Sequence, residues 1–64
     1  MQVEIINFRR GDARAAVVSC GVKTRIYGDD WTLEACGIDA AVRHLAARGW
    51  NVVTDQFETY VINQ

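Results

Sequence analysis

Residues 2–9 (Q-V-E-I-I-N-F-R) are rich in strand formers, but their alternation slips: Val3 and Ile5 share one parity, Ile6 and Phe8 the other. Such a slip predicts either a bulge or a strand covered on both faces. Arg10-Gly11-Asp12 supplies turn chemistry, with Gly11 able to take positive φ. From Ala16 to Ile26 the pattern has a period of two. Its even set (Ala16, Val18, Cys20, Val22, Thr24, Ile26) is expected to face the core, and its odd set (Ala15, Val17, Ser19, Gly21, Lys23, Arg25, Tyr27) to face outward. One long strand bent at Gly21 fits, as do two strands meeting in a tight turn at Cys20-Gly21; the usual strand length of about five or six residues favours the second.

Gly28-Asp29-Asp30 ends this region and predicts a helix start. Asp30 or Thr32 would accept hydrogen bonds from the first N–H groups, and Glu34 would sit near the positive helix end. The apolar stripe is Ala35, Ile38, Ala41, Val42, Leu45 and Ala46. Gly37 interrupts it at a cost of about 1 kcal/mol relative to alanine, so a first turn followed by a main helix from Asp39 also fits. Gly49 suits the left-handed position after the last helical residue, with Trp50 folding back onto Leu45. Beyond it Trp50, Val52 and Val53, then Phe57, Thr59, Tyr60, Val61 and Ile62, are strand-like, with Thr54-Asp55-Gln56 as a hairpin loop between them. The predicted fold is α+β: a small antiparallel sheet of about four or five strands with one helix packed on one face, in the order strands, helix, strands. Residues 1–64 form a single domain in this reading.

Composition narrows the function. A chain of 64 residues with no proline, 50% hydrophobic and 23% charged residues buries only about 60% of its unfolded surface. That supports one small core and leaves no room for a large internal active-site cavity. The hydrophobic content excludes a disordered chain, and no run nears the roughly 18 apolar residues of a membrane span. The N-terminus lacks the basic-then-apolar layout of a secretion signal, so a soluble cytoplasmic protein is expected. Cys20 and Cys36 fit a reducing compartment, Cys20 as a buried small hydrophobe and Cys36 near the solvent side. With only His44 to join them, neither a metal nor another cofactor is expected.

Catalytic parts are too few for an enzyme. His44 is the one candidate base near neutral pH and falls on the solvent side of the helical wheel. Cys36 and His44 would lie about 12 Å apart along a helix axis, beyond direct proton transfer. Helix capping accounts for Asp29-Asp30, and the glycines match no dinucleotide or phosphate-loop pattern. Arg10-Gly11-Asp12 spells an adhesion tripeptide but is a hairpin turn here.

Charge distribution carries more than the net value of −1. Residues up to Gly28 sum to +3 and the remainder to −4, so the molecule becomes electrically two-sided if the two parts occupy different surfaces. Two binding readings result. In the first, the chain is a protein-binding inhibitor: Asp29, Asp30, Glu34 and Asp39 lodge where a nucleic-acid-handling partner expects phosphates. In the second, Arg9, Arg10, Lys23, Arg25 and Tyr27 hold nucleic acid on a basic sheet face.

The free-standing size, the charge split, two tryptophans and the helix A-A-V-R-H-L-A-A-R-G-W together give a whole-chain layout. That layout resembles small phage-borne inhibitors of bacterial defence, anti-CRISPR proteins of type I systems, with type I-C as the subtype considered. The resemblance implies a compact, non-enzymatic, cytoplasmic protein that binds a subunit of a CRISPR-Cas effector complex. It transfers no functional residue position by position. The ending A-A-R-G-W-N-V-V-T-D-Q-F-E-T-Y-V-I also resembles small RNA-binding toxin domains, which carry a histidine in the following strand pair; this chain has none there.

Overall fold

The computed structural model describes residues 2–21 and 23–61, with side-chain surroundings for residues 3–21 and 23–53. The elements are β1 (Gln2–Arg10), β2 (Ala13–Cys20), β3 (Lys23–Gly28), β4 (Thr32–Ala35), α1 (Ile38–Ala46) and β5 (Asn51–Val61). They build a five-stranded sheet in the order β4-β3-β2-β1-β5. Every pairing is antiparallel. The helix packs on one face, against β2, β3 and β4, so the chain is the α+β sheet-and-helix layer pair its patterning predicts.

Two tight hairpins set which residues face the helix. Arg10 pairs with Ala13, and Cys20 with Lys23. Gly11 and Gly21, at φ +61° and +64°, take the left-handed conformation that such short connections require. The region from Ala16 to Ile26 is therefore two strands. A two-residue connection pairs even positions with odd ones, so the inward set changes parity at each turn. It is even in β1 (Ile6, Phe8), odd in β2 (Ala15, Val17) and even again in β3 (Thr24, Ile26), all buried. This corrects the expected even set in β2: Ala16, Val18 and Cys20 lie half-buried on the face away from the helix. Thr24 and Ile26 point inward as expected, and the Thr24 hydroxyl donates to Ser19 Oγ at 3.3 Å. Val22 and Ile62 lie outside the described residues.

Of the two devices anticipated for β1, the bulge is present, as a register shift against β5, while the second face stays uncovered by any helix. Val3 and Ile5 put apolar surface on the open face, where Val3 is buried apart from the main core. The register with β5 jumps, Ile6 pairing with Phe57 but Phe8 with Val52. The bulge that results corrects a second expectation. Thr54-Asp55-Gln56 is not a loop between two strands but part of the single strand β5, which absorbs the extra residues there.

The third correction concerns the helix start. Residues 32–35 form β4, with Leu33 opposite Ile26 and Glu34 opposite Arg25. The helix begins only after Gly37, whose φ of 100° a helix cannot pass through, and no side chain caps it. Asp30 and Thr32 therefore do not cap a helix. A free β3 edge offers residues 32–35 a ladder of backbone hydrogen bonds, and that outweighs the helical spacing of Ala35 with Ile38. The helix end follows the prediction. Gly49 (φ +85°) donates to Ala46 O at 3.1 Å and Trp50 N–H reaches Leu45 O at 3.0 Å, the crossed pair of a Schellman ending. Trp50 joins Ile6, Phe8, Ala15, Val17, Ile26, Ala41 and Leu45 in one core. Of the expected helical stripe, Ala41 and Leu45 are buried, Ile38 and Val42 pack at the margin and Ala46 is exposed.

Candidate functional site

The topology converts the charge split along the chain into a split between the centre and the edge of the sheet. Strands β1, β2 and β3, which carry five of the seven lysines and arginines, are the three middle strands. The segment 29–39 wraps the outer edge formed by β4 and carries Asp29, Asp30, Glu34 and Asp39 with no lysine or arginine.

All four carboxylates are exposed, though not along one helix as expected. Asp29 and Asp30 occupy the β3–β4 connection, where Asp29 Oδ2 accepts the Arg14 backbone N–H at 3.4 Å. Glu34 projects from β4 to the open face and meets Arg25 Nη2 at 3.1 Å. Asp39 sits in the first turn of α1, on the helix side, where its charge suits the helix dipole. The structure thus places the four around one strand edge, from the turn before it to the helix after it. Leu33 lies among them with 42% of its surface exposed.

The open face gathers four of the seven cations. Lys23, Arg25 and Tyr27 alternate along β3 with Tyr27 41% exposed, and Arg9 joins them from β1. Hydrogen bonding to Tyr27, and then the charge of Glu34, raise the Arg25 pKa above its ordinary value. Arg10, grouped with these residues from the sequence, is on the other side. Its guanidinium stacks 4.7 Å from the Trp50 ring centroid and Nη1 donates to Arg48 O at 3.1 Å. Arg14 takes its place, directly opposite Arg9 in the register. Sequence reasoning missed Arg14, and the parity change across Gly11-Asp12 is the signal that would have found it.

The reading also missed an aromatic clasp at this end of the fold. Trp31 folds back over Gly28, where any Cβ would overlap the indole, and its ring meets Trp50 edge-on at 6.2 Å. The Gly28 N–H donates to Trp31 O at 2.8 Å, closing the turn that displays Asp29 and Asp30.

His44 is half-buried on α1, and its backbone carbonyl accepts Arg48 Nη1 at 3.0 Å. Cys36 is exposed as expected; Cys20 is half-buried on the open face rather than packed in the core. Among the described residues no cluster of three or more His, Cys, Asp or Glu could hold a metal ion, and no helix is long and apolar enough to cross a membrane. No family model, curated protein or solved structure matches this chain.

Proposed function

We propose that this chain is a non-enzymatic, protein-binding inhibitor that uses its β4 edge to occlude a basic, nucleic-acid-handling surface of a partner. The observation that carries this reading is the segment 29–39: four exposed carboxylates around an edge strand and no lysine or arginine within the segment, Glu34 alone meeting a cation, Arg25 of β3, with Leu33 exposed among them. Carboxylates spaced along a strand edge offer a basic groove the charge pattern it meets in a phosphate backbone, and Leu33 adds an apolar contact at the centre. In keeping with the layout of anti-CRISPR proteins, the partner is a subunit of a bacterial type I CRISPR-Cas effector, and the cytoplasm is where the two meet.

The test is target-DNA binding by a purified type I-C effector complex in a gel shift, with and without this chain. The wild-type chain is expected to block DNA binding, and a D29K/D30K/E34K variant that keeps the native circular dichroism is expected not to. Equal inhibition by both proteins, or none by either, overturns the proposal.

A second reading is favoured by one observation, the placement of Arg9, Arg14, Lys23, Arg25 and Tyr27 on the same uncovered face. A nucleic-acid binder of this kind shifts single-stranded DNA or RNA by itself, with an affinity that falls steeply as salt rises.

A further inference from the structure

Arg9 and Arg14 stand directly opposite each other across β1 and β2, on the same face. Like charges in that position repel and destabilise a sheet. Among the described residues neither guanidinium is paired with a carboxylate; Arg9 Nε instead donates to Gly11 O at 3.3 Å. Beside them the β1–β5 ladder shifts register between Ile6 and Phe8, the interval that holds Asn7. Bulges re-aim side chains and open a sheet locally, and they recur beside binding sites. Here the bulge borders a cavity of about 130 Å³ lined by Asn7, Phe8, Arg9, Arg14, Ala15 and Val53.

We infer that this notch is a binding site for a phosphate monoester dianion. Two guanidiniums bring a double positive charge and two planar donor forks to one small opening. That matches a group carrying a charge of about −1.5 to −2 at pH 7 and three acceptor oxygens. A single carboxylate would satisfy only half of the charge. Arg10 is held on Trp50 on the other face and takes no part. The notch lies on β1 and β2, with β3 between it and β4, and touches the acidic segment where Asp29 Oδ2 accepts the Arg14 backbone N–H at 3.4 Å. It uses none of the β4-edge carboxylates as ligands, so it does not depend on the inhibitor reading.

The test is an amide NMR titration of the ¹⁵N-labelled full chain, without any partner and at constant ionic strength. The probes are inorganic phosphate, a nucleoside 5′-monophosphate and acetate. Saturable shifts are expected at Asn7, Arg9, Arg14 and Val53, at least tenfold tighter for both phosphates than for acetate, and weakening for the nucleotide below about pH 6 as its dianion takes up a proton. Equal affinity for the two phosphates assigns recognition to the phosphoryl group alone, and tighter nucleotide binding adds a contact from the nucleoside; either result supports the site. R9Q and R14Q should each weaken phosphate binding about tenfold in a protein whose amide spectrum stays native, while R43Q, on the helix, should not. Non-saturating shifts spread over all the cations, or an equal loss in R43Q, overturn the inference.

Discussion

The two faces of the sheet carry different kinds of information. The face under α1 is dry: Phe8, Val17, Ile26 and Leu45 are each no more than 2% exposed, and the tryptophan clasp closes one end. The open face mixes half-buried Ile5, Ala16 and Val18 with exposed Arg9, Arg14, Lys23, Arg25 and Tyr27. Apolar burial holds a fold wherever it is continuous, whereas charge acts on a partner only where water and partner can reach it. In so small a chain the division is nearly complete. The covered face specifies the structure, and the open face and β4 edge are left to act.

That contrast predicts a graded set of effects. Phe8→Ala, on the covered face, should cost about 3–5 kcal/mol in urea unfolding followed by tryptophan fluorescence. Ile5→Ala, in the same strand but on the open face, should cost far less, and equal losses would show that the open face is packed too. Gly28→Ala should cost about 1–3 kcal/mol, because the new methyl displaces Trp31, and should alter the near-UV signal of the tryptophan pair. Arg10→Gln removes the stack on Trp50 and should cost about 0.5–1 kcal/mol. Exchanging Arg25 and Glu34 should leave the Tm within error, since an ion pair in water contributes little. A large drop there would make the open face a structural surface rather than a working one.

How far the sequence announced this arrangement depends on which signals were local. Gly49 and Trp50 declared the helix end because the Schellman pattern needs only neighbouring residues. Gly11 declared a turn for the same reason, while Gly21 left a bent strand and a hairpin both open and only the usual strand length favoured the hairpin that formed. The inward parity of β2 was misread because it depends on a count of two across each turn, a relation between strands rather than within one. Residues 32–35 match a helical stripe through Ala35, yet a free β3 edge recruited them as β4; tertiary pairing overrode local spacing. The carboxylates were visible as a run, but their placement around an edge was not, because the edge exists only once β4 has formed. The place of Arg14 opposite Arg9 was hidden in the same way, because it belongs to a pairing, whereas the slipped alternation of β1 had already offered a bulge as one of two alternatives.

Hydrogen exchange of the chain, alone and mixed with a purified type I-C effector, shows whether the β4 edge is the contact surface. New protection is expected in residues 29–39, with the covered strands β1 and β2 unchanged. Protection centred on Arg9, Arg14, Lys23 and Tyr27 instead, or no protection anywhere, would contradict that assignment.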